Sequence, residues 1–398
     1  MLEGTVGRDY TSYEQADTAQ AGSTSTTIKL ATGASTTDDF YNGMTVYISS
    51  GTGSGQLRTI SDYVGSTKVA TVSSAWTTNP DATSDYEVRS SSGNATVKNS
   101  TSLNFADVRV GGNFTATAEG GAITCNVLTA CKLNIGGTTD VYSETDQNII
   151  LNNAANDFIG DVRFRGGAVV IKDENNINFG IGNSTAAGTL VDSGGNPTYA
   201  LKVYAGDQIT DEAVALFVTG PTATTSDGNA WFGTNNADSG RIVLNSGLHT
   251  VDGTWTLEGG IGYTVSSASA VVLTAMTLAG DLDVTTTGGT VTDTGVLSVE
   301  GLTEISASGF DVTLDGDGTT YNNFQDEVQI IGANVVIKDT NTLKLGASTV
   351  SGTYTVTASA GDIDDYGTLA IADLAIFTTS ASGADIDLDE TGSTFASG

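Results

Sequence analysis

The chain of 398 residues is poor in proline, cysteine, histidine and basic side chains, and these shortages narrow its function. With 2 cysteines and 1 histidine, no Cys/His metal pattern is present, and His249 has no Ser or Cys constellation for nucleophilic catalysis. Lys and Arg total 15 against 46 Asp and Glu. The resulting net charge of −31 argues against nucleic acid and against an anionic membrane surface as partners.

Long apolar runs are missing too. No stretch approaches the roughly 18–20 apolar residues of a membrane span. The opening segment, MLEGTVGRDYTSYEQAD, lacks the basic and apolar regions of a secretion signal. We therefore expect an extracellular role to need processing, another export route, or release inside a virus particle.

The abundant residues are Gly, Thr, Ser, Asn, Asp and Val, while helix-forming residues are scarce. β-Branched residues favour strands, and Gly, Asn and Asp favour tight corners. The composition predicts an all-β chain.

A repeat gives that prediction a specific architecture. Residues 156–173, NDFIGDVRFRGGAVVIKD, align with residues 322–339, NNFQDEVQIIGANVVIKD, at a constant offset of 166. Weaker matches define a unit of about 72 residues, which we interpret as about three coils of a solenoid whose neighbouring coils bury each other. The prediction is a right-handed parallel β-helix of roughly a dozen coils, about 60 Å long at ~4.8 Å per coil.

The domain prediction follows from a change near residue 92, where short β runs give way to the repeat pattern. Residues 1–92 contain short β runs and predict a small antiparallel barrel or sandwich that caps the solenoid, with Trp76, Tyr47 and Tyr63 as core candidates. Residues 93–398 hold the repeats, in units of about 98–168, 169–265, 266–334 and an incomplete 335–398.

The second unit contains an insertion, and residues 220–262 have no clean counterpart. Insertions in solenoids form loops on one face that often binds. We therefore predict a contact surface there, with Trp231, His249, Trp255 and Tyr263 as candidates for sugar stacking. Filling of a distorted core by these rings is the alternative.

The sequence stops inside a unit, where Ile386, Leu388 and Phe395 repeat Val312, Leu314 and Tyr321. An open rung invites edge-to-edge addition. Either another subunit completes the stack, which would make a homo-oligomer or polymer, or the chain is part of something longer.

Clustered carboxylates are the remaining candidates for chemistry. Asp315 and Asp317, Asp362 to Asp365, and Asp385 to Asp389 all lie in repeated corners, where a turn-capping role is expected rather than a single catalytic site. We predict no enzyme activity, no cofactor and at most weak Ca²⁺ binding. Cys125 and Cys131 either form a disulfide across a corner or are two small buried apolar residues.

The repeat VVIKDxNxLxLGxSxVxGxxxVTA, followed by GDIDDYGTLAI, resembles the filamentous-haemagglutinin-like β-strand-repeat proteins of bacterial surfaces. The stretch from AGSTSTTIKL to QLRTISDY is similar to a small module of bacteriophage virion and tail-associated proteins. These resemblances imply adhesion, display or scaffolding at a cell surface or virion, although no secretion domain of the adhesin type is recognisable. The functional prediction is a structural subunit of an extracellular filament or virion appendage that assembles end to end. A carbohydrate- or host-binding adhesin or tail fibre is the alternative, and a polysaccharide-degrading enzyme is third.

Overall fold

A computed structural model describes residues 13–89, 94–125, 131–144, 147–184, 199–211, 214–219 and 228–396. Every regular element in these ranges is a β-strand. The same ranges contain no helix long and apolar enough to cross a membrane.

The amino-terminal module, residues 13–89, is one six-stranded antiparallel sheet in the order β1-β6-β3-β4-β5-β2. A backbone hydrogen bond from Gln20 N–H to Lys29 O, 2.8 Å, links the ends of the two outer strands and curls the sheet towards a barrel. Its strands are β1 Tyr13–Thr18, β2 Thr27–Lys29, β3 Thr45–Ser50, β4 Leu57–Val64, β5 Val69–Val72 and β6 Asp85–Arg89.

Of the three aromatic residues predicted to fill this module, Trp76 and Tyr63 are buried in its core. Tyr47 is not, because it points to the other side of β3, where its ring lies 4.4 Å from the Arg89 guanidinium. The expectation that Tyr47 belongs to the core is therefore wrong. In the segment of chain that connects β2 to β3, the ring of Tyr41 is buried in the core instead.

From residue 94 the strands are parallel and stack in coils, which confirms the predicted β-solenoid. Each coil contributes to a first face, a second face and, in some coils, a short third face. The second face counts thirteen strands, close to the predicted dozen coils. Apolar residues alternate inward along each strand and form one continuous core from Val97 to Ile371.

The strands of the first face are β7 Ala95–Asn99, β10 Phe114–Ala118, β13 Thr139–Ser143, β16 Val162–Gly166, β18 Ile177–Ser184, β20 Gln208–Asp211, β21 Leu216–Val218, β23 Arg241–Val251, β25 Gly262–Ser267, β28 Asp281–Thr286, β31 Thr303–Ser306, β34 Glu327–Gly332, β36 Leu343–Leu345, β37 Ser348–Val350, β39 Ile363–Asp365, β40 Leu369–Ile371, β42 Ile386–Asp387 and β43 Thr394–Phe395.

The strands of the second face are β8 Leu103–Asn104, β11 Ile123–Cys125, β14 Ile149–Leu151, β17 Val169–Lys172, β19 Leu201–Ala205, β22 Ala230–Thr234, β24 Thr254–Glu258, β26 Val271–Leu273, β29 Val291–Asp293, β32 Val312–Leu314, β35 Val335–Asp339, β38 Tyr354–Ala358 and β41 Ala375–Thr379. The third face consists of β9 Asp107–Val110, β12 Lys132–Ile135, β15 Asp157–Phe158, β27 Met276–Leu278, β30 Leu297–Val299 and β33 Asn323–Phe324.

The 72-residue repeat spans slightly more than three coils, close to the prediction, but it does not contain a whole number of them. The stretch from β25 to β34 holds ten strands, so the next unit begins one face further round. Accordingly β25 lies on the first face, whereas its sequence counterpart β35 lies on the second. The same apolar pattern fits either position because every face buries alternate residues.

Cys125 and Cys131 form a disulfide with a Cα–Cα distance of 5.3 Å, and both are fully buried. This decides between the two alternatives left by the sequence. The bond closes a loop next to β11, near the start of the stack.

Replacing both cysteines with alanine should lower the stability of the first coils by about 2 kcal/mol, the loop-entropy value for a short bridge. Because a solenoid is stabilised mainly by nearest-neighbour contacts, amide exchange should accelerate in β11 and β14 but not in β35. Hydrogen-exchange mass spectrometry measures both. Uniform acceleration along the rod, or none, would contradict this account.

Candidate functional site

The irregular coils that carry the insertion are organised around His249. This residue is fully buried on β23, just after a shift in that strand's register with β25. Its Nε2 lies 3.0 Å from Asp211 Oδ2, and its Nδ1 accepts the Leu216 N–H at 3.1 Å. Since Nδ1 accepts a hydrogen bond, the ring is neutral with its proton on Nε2, facing the carboxylate.

Asp211 connects this ring to the loop that follows Leu244. Its carboxylate also accepts the Asn245 and Ser246 N–H groups at 3.1 and 3.0 Å. Burial alone would raise the pKa of Asp211, but the hydrogen bond from His249 and the two backbone donors outweigh it and lower that pKa below its ordinary value. The pair therefore fixes the conformation of an extra loop.

Ser246 lies close enough to suggest a serine triad, but the geometry is wrong for one. Its Oγ is 3.2 Å from His249 Nε2, the same nitrogen that faces Asp211. A triad needs the serine and the carboxylate on opposite ring nitrogens, so that one orients the ring and the other exchanges a proton. These three residues are arranged to hold the loop in place.

Two of the aromatic residues predicted to contact sugars lie inside the coil. Trp255 has no exposed surface and packs on Phe232, with ring centroids 5.9 Å apart. Tyr263 is 1% exposed and donates its hydroxyl to Gly259 O at 2.7 Å. The expectation of an exposed platform is corrected for both rings, because in this coil the inward row takes the largest side chains. His249 is buried with them.

Trp231 points outward, yet its ring is also covered. Tyr204 lies parallel to it at 5.8 Å, and the Lys202 ammonium is 4.7 Å from the ring centroid. The indole also lies across Gly233, where a Cβ would come within 2.2 Å of it. With 8% of its surface exposed, Trp231 has no free face for a sugar, and residues 220–227 of the predicted surface lie outside the described residues.

The predicted assembly residues are at the last described rung. Ile386 and Phe395 are 43% and 41% exposed, while Leu388 is half-buried against the core. They belong to or flank β42 and β43, which pair with β39 and β40 on one side. The structure therefore brings these three residues together at one end of the described stack.

The repeated acidic corners have structural partners. Asp173 accepts the Phe158 and Asn175 N–H groups, both at 2.7 Å, and its counterpart Asp339 accepts those of Phe324 and Asn341 at 3.1 and 3.0 Å. Both carboxylates are almost completely buried. Burial raises the pKa of Asp173 to about 7 and that of Asp339 to about 6.

Buried asparagines complete the corners. Asn156 and Asn322 accept the N–H groups of Leu133 and Leu297 at 2.9 and 2.8 Å. In the last coils Ser393 takes over this role by accepting the Leu369 N–H at 3.0 Å. Within the described residues no group of three or more His, Cys, Asp or Glu side chains is placed to hold a metal ion.

Fold and corners together define a parallel β-solenoid repeat protein. Residues 92–165, 259–331 and 332–397, more than half of the chain, match one family model, described as repeats of unknown function (DUF5649). The chain belongs to this family. The matched segments leave out residues 166–258, which include the insertion. No curated protein and no solved structure is significantly similar to the chain.

Proposed function

We propose that the chain is a structural subunit of an extracellular filament or virion appendage, in which the solenoid is a stiff rod. The observation that supports this proposal best is the uninterrupted second face, thirteen parallel strands over one continuous core. Continuous backbone hydrogen bonding with apolar ladders inside gives an elongated body that resists bending. Such a body suits a role in spanning distance.

An oxidising location accords with the disulfide. Cys125 and Cys131 are paired and buried, and structural disulfides persist mainly outside the reducing cytosol. This supports the extracellular or virion setting of the proposal.

The proposed junction between rods is the last described rung, with the amino-terminal module of a second copy as its partner. Ile376, Ile386 and Phe395 expose large apolar surface there, at 44%, 43% and 41%. Strand edges with exposed apolar side chains favour addition of further strands.

The test is analytical ultracentrifugation over a concentration series, followed by electron microscopy of the highest concentration. The wild type should grow into linear assemblies, and the I386D/F395D variant should stay monomeric because two charges would be buried in the junction. Ile331 is a matched control, since it is also 43% exposed but lies on a strand that is paired on both sides, with β31 and with β37. Monomeric wild-type protein at all concentrations, or equal disruption by I331D, would contradict the junction.

The alternative of an adhesin that binds through residues 220–262 gains no support from residues 228–262, because their large rings are covered.

A further inference from the structure

A shallow groove of about 520 Å³ lies on the outside of the first face, across β13, β16 and β18. Its lining includes Tyr142, Asp161, Arg163, Arg165, Ile181 and Val214. It adjoins the insertion but is separate from the His249 cluster and from the last rung.

A local irregularity of the backbone shapes the groove. β16 and β18 pair from Val162 to Phe179 and then from Phe164 to Gly182, so β18 holds one extra residue. The extra residue turns Ile181 outward, leaving it 61% exposed. At Gly180 a Cβ would lie 2.4 Å from Arg163 Cγ, so the missing side chain lets the arginine stem lie flat over the strand.

The two guanidinium groups in this groove have donors to spare. Among the described residues Arg165 has no hydrogen-bond or ion-pair partner and is exposed. Arg163 lies 3.8 Å from both Asp140 and Asp161, which is beyond hydrogen-bonding distance. The two arginines alternate with Phe164 on one strand, so both point outward, about 7 Å apart.

Tyr142 provides an aromatic face beside them, because it is paired with Arg165 in the register of β13 and β16. Its hydroxyl donates to Asp140 at 3.2 Å. Burial, with the nearby Asp140 charge, raises the pKa of Tyr142, so the phenol stays neutral. An aromatic ring, an apolar wall and two cations thus meet in one open groove, where the Asp161 carboxylate balances part of the charge of Arg163 and leaves Arg165 as the principal cation.

The repeat supplies an internal comparison for this groove. In a later coil, β31 pairs with β34 in the way that β13 pairs with β16. Glu304 lies opposite Gln329 there, as Asp140 lies opposite Arg163. Likewise Ser306 lies opposite Ile331, as Tyr142 lies opposite Arg165. There Ser, Gln and Ile occupy the positions of Tyr142, Arg163 and Arg165, on the same strand pairing.

The coil therefore forms without an aromatic ring or a cation at these positions. Val162 and Val328 are the same inward residue in the two coils, while the three outward residues differ in size and charge. The ring and the two cations are therefore particular to the coil that carries the groove.

We propose that this groove binds an anionic glycan, with a carboxylate or sulfate on Arg165 and Arg163 and a sugar ring on Tyr142. Guanidinium groups match carboxylate and sulfate geometry, and aromatic faces suit the apolar side of a pyranose. A long polyanion such as nucleic acid, which would extend over the acidic surface, is disfavoured by the net charge of −31, whereas a short glycan needs to place only one or two charges at these arginines. The groove lies on a sheet face and not at an edge, so a peptide could not add to it as a strand.

The experiment is calorimetric titration of the full chain with oligogalacturonate and with a heparin oligosaccharide, using malto-oligosaccharide and poly-L-glutamate for comparison. The acidic glycans should bind, more weakly at higher salt, and the neutral glycan should not. The Y142S/R163Q/R165I variant, which copies the equivalent coil, should bind about 10-fold or more weakly while its melting temperature is unchanged.

The opposite exchange provides a second readout. S306Y/Q329R/I331R should add a second site and raise the stoichiometry from one towards two, whereas S306A/Q329A should change nothing. Absence of acidic-glycan binding, or equal binding by the Y142S/R163Q/R165I variant, would overturn the proposal. Stronger binding of poly-L-glutamate would assign the groove to an acidic peptide and would also overturn it.

Discussion

Replacement of Arg89 with alanine is expected to destabilise the docking of the amino-terminal module on the solenoid by about 3–5 kcal/mol. Arg89 and its ion-pair partner Glu87 are 6% and 8% exposed, so solvent cannot replace the lost contacts. This is the largest effect that we expect from any single polar substitution in the chain.

The size of the effect follows from the network around Arg89. Its guanidinium bonds Glu87 Oε2 at 2.9 Å and Asn134 Oδ1 at 2.7 Å, and it lies over the ring of Tyr47. Asn134 belongs to the solenoid strand β12, so one side chain joins the two cores. Without it, Glu87 keeps Arg109 as its one charged partner among the described residues, and a buried amide oxygen loses its donor.

Calorimetry and hydrogen exchange should show this as a separate, earlier transition of strands β1 to β6, with β35 protected as before. The control is K98A, which removes the exposed ion pair between Lys98 and Glu119 and should cost less than about 1 kcal/mol. If R89A and K98A have equal effects, the buried network does not hold the module in place.

Much of the fold was predictable because similar coils pack on one another in a solenoid, so the buried positions recur along the sequence at a fixed offset. The offset of 166 places Val162 on Val328 and Phe158 on Phe324, and all four side chains point inward. Periodicity could not show that the repeat spans ten strands. Alternating residues look the same whichever face a strand occupies, so the corner between faces has no distinct apolar signature.

The site was less predictable, and the reasons differ between residues. Trp255 and Tyr263 are candidates for a contact surface because they lie in or beside a stretch without a repeat counterpart, but the structure shows the alternative, in which both rings fill a distorted core. The pairing of Asp211 with His249 links residues far apart in sequence and leaves no local pattern. A signal for the groove did exist, since the repeat aligns Arg163 with Gln329 and Arg165 with Ile331.

Acidification should stabilise the solenoid, which is the second large effect. Burial raises the pKa of Asp173 to about 7 and that of Asp339 to about 6, above the value near 3.9 of an unfolded chain. The native state therefore binds protons more tightly than the unfolded state. The stabilisation is fully present below the unfolded pKa and is lost as the pH rises through about 6 to 7.

For Asp173 the stabilisation lost between pH 3.9 and about 7 is of the order of 4 kcal/mol, and roughly half of it is lost above pH 5.5, so the melting temperature should fall by several degrees between pH 5.5 and pH 8. D173N/D339N should flatten this dependence. At pH 8 this variant removes two buried charges. At pH 5.5 it should be less stable than the wild type, because each amide presents its NH₂ group to a backbone N–H.

D317N is the control, since Asp317 is an exposed turn residue whose pKa is lowered by hydrogen bonds from Thr319 and Thr320. A melting temperature that rises with pH, or a slope unchanged in D173N/D339N, would show that these corners stay ionised in the folded rod and that their backbone donors outweigh burial.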